Sequence, residues 1–304
     1  MRKGKKIKKI KISKQDRIYL FFVYLFLGIF TICVLYPLLY VVSCSFSDPE
    51  ALIQGKVFFL PVKPGLQGYK AVFQNAKVWR GYGNTIFYTV AGTAIGVAVS
   101  ITASYVLSRK EFPLHKFLSG FFMFTMFFGG GTIPTYLWLK SLGMLNTVWA
   151  IVLPGAVNVW LVMVGRTFLQ SSIPEELFEA VCLDGGNYFQ YFFKIILPLS
   201  KPILAVLALN FALVHWNSYY SALLYLSDAK KYPLQIVLRE ILIQNTIDLT
   251  SMTGINVNSM MKNQYLSELL KYSLIIVSSV PLLVIYPFIQ KYFIKGVMIG
   301  SVKG

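Results

Sequence analysis

The sequence predicts an all-α protein that crosses a membrane about six times, and three observations support this fold class. The 304 residues are 56% hydrophobic and only 13% charged, whereas soluble domains carry about 25% charged residues. The apolar residues form uncharged runs of about 20, the helix length that crosses a hydrocarbon layer of about 30 Å. The basic residues concentrate directly before the first of these runs.

The apolar runs divide the chain into one membrane domain with short tails. The candidate spans lie at about 18–42, 85–108, 117–139, 147–169, 203–226 and 272–291. We therefore expect a polytopic domain over 18–294, between a basic tail at 1–17 and a C-terminal tail at 295–304. The first run is longer than the ~7–15 residues of a signal-peptide core, so we expect it to be retained.

The placement of charge favours a lipid surface over nucleic acid as the partner. The net charge is +17, and nine of the 29 lysines and arginines precede residue 18. A basic segment beside a span stays on the cytoplasmic side and attracts anionic lipid. An even number of spans then places both termini in the cytoplasm, with 18 basic residues inside and 11 outside. No aromatic residues lie between the lysines and arginines of this basic segment, so the pattern typical of nucleic-acid binding is missing from it.

Metal chemistry is not expected from this composition. Three cysteines, Cys33, Cys44 and Cys182, show no disulfide or metal spacing, and only two histidines are present. We expect no metal site and no cofactor bound by this chain.

Two of the predicted spans contain glycines at positions that affect the course or the packing of the helix. The third is interrupted by Gly129-Gly130-Gly131 and Pro134, which either opens a transport pathway or makes a plain kink between neighbours. The second carries Gly92 and Gly96, and this spacing lets another helix approach closely.

Two long segments are expected outside the membrane. Residues 43–84 are rich in proline and glycine and predict an irregular cap. Residues 227–271 contain apolar spacing over 232–242 that suits a short interfacial helix. Such loops serve either to dock an external delivery protein or to seal the outer face.

The segment 173–202 predicts a helix–turn–helix on the cytoplasmic face. Pro174 suits the first helical position, and the acidic residues Glu175 and Glu176 favour the positive end of a helix. Gly185-Gly186 ends this helix, and a second amphipathic helix follows. We expect its inward residues to be Phe189, Phe192, Phe193 and Ile196, and its end to be Pro198.

This segment resembles the cytoplasmic loop of ABC importer permeases, whose signature is Glu-Ala-Ala-x-x-Asp-Gly-Ala followed by Phe-x-x-Ile-x-Leu-Pro-x-x-x-Pro. The matching positions are Glu179, Ala180, Asp184, Gly185, Phe192, Ile195, Leu197, Pro198 and Pro202. Val181 and Gly186 replace two alanines of the pattern, and Gly186 is expected to loosen the turn.

The resemblance implies that this loop is a coupling helix that docks in a separate ATPase. The residues it assigns to coupling are Glu175, Glu176, Glu179, Ala180, Asp184, Gly185, Gly186, Leu197 and Pro198. The chain has no Gly-x-x-x-x-Gly-Lys-[Ser/Thr] loop. We therefore expect a non-catalytic subunit, with ATP and Mg bound by the partner ATPase.

The resemblance narrows to carbohydrate importers of the maltose and polysaccharide type through the order of spans, Leu145-Asn146-Thr147 and the glycine-rich ending after Gln290. It implies a bacterial plasma-membrane protein with a second permease, two ATPase subunits and an extracytoplasmic sugar-binding protein as partners. The tail is expected either to reach between the ATPases or to be a free end.

The fifth span supplies candidate residues for a substrate pathway. They are Asn210, His215, Trp216, Asn217, Tyr219 and Tyr220. Asn210, Asn217 and Ser221 share one helical face and could line a cavity, or instead bond to neighbouring helices. The alternatives for the whole chain are a permease for a polyamine or osmolyte, a membrane-embedded enzyme and a passive channel.

Overall fold

The computed structural model of the protein describes residues 13–247, 269–287 and 290. The predicted C-terminal tail, residues 1–12 of the basic tail, residues 248–268 of the second long outer segment and residues 288, 289 and 291 of the sixth span lie outside these residues.

The described residues form helices joined by turns and irregular connections and contain no strand, which confirms the all-α class. The helices of the first half are α1 (Lys14–Phe46), α2 (Pro49–Ile53), α3 (Gln67–Gln74), α4 (Ala76–Ser108), α5 (His115–Phe127), α6 (Thr132–Ser141) and α7 (Trp149–Val152). Those of the second half are α8 (Val159–Ser172), α9 (Glu176–Leu183), α10 (Tyr188–Tyr191), α11 (Leu197–Leu199), α12 (Lys201–Trp216), α13 (Tyr220–Tyr225), α14 (Leu234–Ile247) and α15 (Leu269–Pro287). A π-helical turn, Phe192–Ile196, lies between α10 and α11.

Three described helices are long and apolar enough to cross a membrane, namely α1, α4 and α15. The pair α5 and α6, bent by 112°, and the pair α10–α11 and α12, bent by 79°, would raise the number to five if each pair is one span. The predicted class of membrane protein is therefore supported, while the count of six is not reached within the described residues.

The chain divides into two compact units. The first contains the described residues up to Ala71 together with 269–276. There the end of α1 is fixed by side-chain hydrogen bonds, because the Ser43 hydroxyl donates to the Phe59 carbonyl at 2.6 Å and the Ser47 hydroxyl accepts from the Val62 amide at 3.1 Å. Most large apolar side chains in the remainder of α1 are exposed within this chain, and an apolar surface of this size is typical of a membrane or protein contact.

The second unit, over 72–247 and 277–287, is built around α4. This helix packs against α12, α8 and α14. The contacts are close because α4 presents small residues: an added Cβ at Gly96 would lie 2.7 Å from the Phe211 ring, and Gly92 faces the His215 ring. The Ser104 hydroxyl donates to the Val162 carbonyl of α8 at 2.8 Å. The predicted small-residue contact surface is confirmed.

The first two spans begin earlier than predicted because polar caps extend them. Ser13 and Asp16 form a reciprocal capping box, so α1 begins at Lys14 rather than near residue 18. The Asn75 side chain accepts from the Lys77 amide at 3.0 Å, so α4 begins nine residues before its predicted start of 85. Much of the segment expected to be irregular at 43–84 is therefore helical.

The fourth and fifth spans were predicted to be continuous, and both predictions are wrong. Helix α7 is followed by Pro154-Gly155, and the Asn158 side chain then caps α8 by accepting from the Leu161 amide at 3.2 Å. Proline lacks the amide that a continuing helix needs. The fifth span breaks at 217–219, so Ser221 belongs to α13 and does not continue the face of α12.

The interruption of the third span is confirmed, since α5 and α6 meet at Gly131 with a φ of +85°. The helix predicted within 232–242 is also confirmed as α14. It packs on α4, where an added Cβ at Gly81 would lie 3.1 Å from the Leu234 Cα and the Leu234 amide donates to the Thr85 hydroxyl at 2.8 Å.

Candidate functional site

The candidate coupling segment is a short helix, α9, between two tight connections. Helix α8 ends at Ser172, and Pro174 precedes α9 rather than occupying its first turn. Acidic residues follow, as the positive end of a helix favours. No residue of α9 is buried within this chain.

The predicted turn at Gly185-Gly186 is confirmed. Gly185 has a φ of +72°, a left-handed conformation that other residues adopt at a cost of about 1–2 kcal/mol. The Gly185 amide donates to the Cys182 carbonyl at 3.0 Å and the Gly186 amide to the Val181 carbonyl at 2.8 Å. These bonds satisfy carbonyls that the end of a helix leaves without partners.

The space that a side chain at Gly186 would need is already filled by neighbouring atoms. A Cβ added at Gly186 would lie 2.5 Å from Cγ1 of Val181, 2.9 Å from the Val181 carbonyl oxygen and 3.1 Å from Oε1 of Gln190. The extra methyl groups of Val181 therefore fill the space that an alanine at position 186 would need. The two departures from the family pattern compensate for each other in volume.

The second helix keeps only part of the predicted inward face, because Ile196 is buried and Phe192 is half-buried against the core whereas the other two predicted residues are exposed. Asn187 and Gln190 form a capping box that starts α10. The π turn that follows holds one more residue than an α turn and so shifts the register. The buried residues are Tyr191 and Ile196, whereas Phe189 and Phe193, predicted to point inward, are 76% and 60% exposed. The helix also passes through Pro198 as far as Leu199 rather than ending at the proline.

The exposed surface of the segment combines carboxylates with apolar side chains. Its exposed coupling candidates are Glu175, Glu176, Glu179, Ala180, Asp184, Gly185 and Pro198, while Gly186 and Leu197 are half-buried. Leu183 is 89% exposed at the tip of α9. Such a patch can bind another protein, because apolar contact supplies affinity and charge supplies orientation.

One carboxylate of this surface is held by a neighbouring lysine. The Lys110 ammonium lies 2.9 Å from the Glu175 carboxylate. The hydrogen bond and charge of Lys110 lower the pKa of Glu175. Glu175 therefore remains ionised throughout the neutral pH range.

Sequence reasoning did not identify Arg109 and Tyr191 as part of this site. Arg109 follows α4, and its guanidinium carbon lies 4.0 Å from the centre of the Phe178 ring of α9. Tyr191 is only 1% exposed and packs edge-on against the same ring at 5.1 Å. The one local signal in the sequence is an arginine at the predicted cytoplasmic end of a span, where the positive-inside bias by itself favours a basic residue.

The structure separates the pathway candidates into packed and accessible residues. His215 and Trp216 are buried, with His215 against Gly92 and the Trp216 indole donating to the Ser278 carbonyl at 3.2 Å. Asn210 is half-buried and donates to the Val206 carbonyl of its own helix at 2.9 Å.

The remaining candidates cluster at the break after α12. Asn217 and Tyr220 are exposed, and Tyr219 is half-buried with the Arg239 guanidinium 5.4 Å from its ring. The Asn217 side-chain amide donates to the Leu213 carbonyl at 2.9 Å. An accessible amide beside an exposed aromatic ring can bind polar ligands that also have apolar faces.

No group of three or more His, Cys, Asp or Glu residues suited to a metal ion occurs within the described part of the chain.

Comparison with known proteins places the chain in a family. No protein-family model matches it. It is 37% identical over 290 residues to the "Polygalacturonan/rhamnogalacturonan transport system permease protein YtcP" of Bacillus subtilis (strain 168), with 95% of this chain and 100% of the relative covered. The chain belongs to the family of ABC transporter permeases.

Two further similarities agree with this assignment. The permease is 38% identical to "Protein LplC" of Bacillus subtilis (strain 168) over 96% of its own length and 97% of the relative's. A crystal structure of a bacterial ABC transporter involved in the import of the acidic polysaccharide alginate contains a chain that superposes with a TM-score of 0.84. That match has 33% identity and covers 94% of the permease and 100% of the other chain.

Membership has a direct chemical consequence. A permease of this family is a non-catalytic transmembrane subunit, and ATP hydrolysis belongs to a separate subunit. Such a permease works with a partner permease, an ATPase and a binding protein.

Proposed function

We propose that this permease forms, with a second homologous permease, the translocation pathway for a sugar or oligosaccharide. An extracytoplasmic binding protein delivers the sugar, and two ATPase subunits drive alternating access from the cytoplasmic side. Both termini lie in the cytoplasm, and the protein resides in the bacterial plasma membrane. Segment 173–202 is the coupling segment, which receives the movement of the ATPases. ATP hydrolysis takes place in those subunits, and this chain carries out no bond chemistry.

The observation that carries the proposal is the exposure of α9. The helix buries none of its residues within the chain, and an 89% exposed leucine lies beside its carboxylates. Leaving Leu183 in water forgoes about 1.5–3 kcal/mol of burial. An ATPase cleft that covers this tip would recover that free energy, and it would pair the carboxylates with basic groups.

The substrate class follows from the relatives. The relative YtcP is named as a permease of a polygalacturonan/rhamnogalacturonan transport system, and the superposed chain comes from a transporter involved in the import of alginate. We therefore propose oligosaccharides, with short oligogalacturonides as the first probe. The residues proposed to contact the sugar are Asn217, Tyr219 and Tyr220, while His215 and Trp216 support them from the packed side and Asn210 lines the pathway.

Transport by the assembled system is the direct test. The permease, its partner permease, the ATPases and the binding protein are reconstituted in liposomes. Uptake of labelled oligogalacturonides is then measured with ATP and with a non-hydrolysable analogue, and labelled maltotetraose and spermidine serve as comparison solutes. We expect ATP-dependent uptake of an oligosaccharide and none of spermidine.

Two results would contradict the proposal. ATP-dependent uptake of spermidine with no oligosaccharide uptake would show a permease for another class of solute. Uptake that proceeds equally without ATP would show a passive channel.

A further inference from the structure

A second connection between α9 and the membrane helices runs through Arg109. This residue follows the last residue of α4, and its side chain is only 13% exposed. Its guanidinium carbon lies 4.0 Å from the centre of the Phe178 ring and 5.7 Å from that of Tyr191. A guanidinium within about 6 Å of a ring centre is attracted to the face of the ring.

The rings around Arg109 form a cluster that joins the elements of the coupling segment. Phe178 of α9 stacks on Tyr188 at 5.0 Å and packs edge-on against Tyr191 at 5.1 Å. Tyr105 of α4 lies 5.1 Å from Phe192 in the π turn. Arg109 therefore contacts the Phe178 and Tyr191 rings, through which α9 and α10 pack against each other.

An ion pair fixes the direction of the guanidinium. Nη2 of Arg109 donates to both carboxylate oxygens of Glu111, at 2.9 and 2.7 Å. Because Glu111 is 58% exposed whereas Arg109 is largely covered, the pair orients the arginine from its solvent side. The neighbouring pair of Lys110 and Glu175 is exposed at both ends, and water screens it strongly.

The geometry of attachment explains why this contact matters. Helix α9 is joined to the rest of the chain at Ile173 and at the Gly185-Gly186 turn, which are the two ends of the helix. A short helix held only at its ends can rotate about the line between them. In α9 the sides are held by the packing of Phe178 against a buried cluster of α4 and neighbouring helices and by the contact of Arg109 with the Phe178 ring. A contact from the side of α9 removes that rotation.

We propose that Arg109 is a positioning residue that fixes α9 to α4, so that displacement of α9 by an ATPase moves α4 directly. This proposal rests on the coupling role proposed above for α9. Helix α4 packs against α12, α8 and α14. A displacement that reaches α4 is therefore distributed through the second unit instead of being absorbed in the connections.

The distance between α4 and α9 provides a test that needs no substrate. Spin labels are placed on the native Cys182 of α9 and on a cysteine replacing Val99, an exposed position of α4, with Cys33 and Cys44 replaced by serine and alanine. The distance distribution is measured in the assembled complex without nucleotide and with ATP. The variants are R109Q, F178L and the double variant, and K116Q is the control, with a charge removed at an exposed lysine of α5.

We expect one narrow distribution that nucleotide leaves unchanged in the starting protein and in K116Q. R109Q and F178L should each broaden it, and the double variant should be no broader than F178L alone, because F178L already removes the contact that R109Q removes. Oligosaccharide imported per ATP hydrolysed should fall by about fivefold in both single variants, the order expected for a largely covered cation–π contact.

Unchanged distributions in both R109Q and F178L would overturn the proposal, as would an additive double variant. If R109Q fails to assemble while F178L keeps its narrow distribution and full coupling, Arg109 serves only the fold and the proposal is again wrong. Uptake by the starting complex is scored separately, so failure of the proposed function is distinguishable from failure of this inference.

Discussion

At the tip of the coupling segment, a methyl group of Val181 occupies the space that a side chain at Gly186 would need. A Cβ at position 186 would lie 2.5 Å from Cγ1 of Val181, closer than carbon atoms approach without displacement. The pair replaces two alanines of the family signature, so the turn keeps its volume although both residues differ.

Gly186→Ala should therefore impair the permease, whereas the double variant V181A/G186A should recover. Overpacking of this kind costs about 1–3 kcal/mol. ATPase co-purification and oligosaccharide uptake measure the effect. Recovery should be incomplete, because the Val181 carbonyl oxygen remains 2.9 Å from the added Cβ. A double variant as impaired as G186A alone would show that the two side chains do not compensate.

Gly185→Val should abolish uptake while the protein still inserts, because valine at a φ of +72° is strained and would reshape the end of α9. Gly143→Val is the matched control. Gly143 also has a positive φ, +66°, has open space around it and lies after α6. Equal loss of uptake in both variants would indicate a general effect of strain and contradict a special role for the turn.

Gly92→Ala should destabilise the second unit, since any added Cβ collides with the His215 ring between α4 and α12. We expect a loss of about 1–3 kcal/mol and a melting temperature in detergent several degrees lower. Gly83→Ala is the control on the same helix, where an added Cβ meets nothing within 4 Å. It should leave the melting temperature unchanged or raise it, because alanine favours helix.

Cys182 reports the side of the membrane on which α9 lies. It is exposed on α9, so a membrane-impermeant maleimide should label it in inside-out vesicles and not in intact cells. Cys33→Ser removes the other exposed thiol, and Cys182→Ser in the same background is the blank. Labelling of Cys182 in intact cells would place the segment outside and refute its role in coupling.

Tyr220→Ala should raise the KM of oligosaccharide uptake and leave ATPase assembly intact, because the ring is 60% exposed at the break after α12. Stacking of a sugar on an exposed ring is the contact that would be lost. Tyr24→Ala, an exposed tyrosine of α1, is the control. An unchanged KM in Tyr220→Ala would remove this residue from the proposed pathway.

The parts of this molecule that sequence predicted are those specified by local residue types. A glycine pair after an acidic, apolar helix marked the turn at Gly185, and small residues four apart marked the face of α4 that packs closely. Pro154-Gly155 was a readable signal for the break in the fourth span, although the apolar run around it predicted continuity. These features depend on neighbours within a few positions.

The features that were missed depend on contacts between distant residues or on an irregular helix. The break after Trp216 contains neither glycine nor proline, so the apolar pattern alone predicted a continuous helix. The π turn at 192–196 cannot be identified from a 3.6-residue period, and Phe189 and Phe193 are exposed where that period predicted them inward. The contact of Arg109 with Phe178 joins segments that are far apart in the chain.

The π turn inserts one residue, relative to a regular α-helix, into the connection between α9 and the fifth span. Deleting one residue from Phe192–Ile196 would restore an ordinary α turn and rotate α10 by about 100° relative to α12. The aromatic rings now facing outward would swing towards the interior, and Tyr191 would leave the guanidinium of Arg109. A change of one residue in the length of this turn would therefore change the orientation of α9 and α10 relative to α12 without altering any residue of α9.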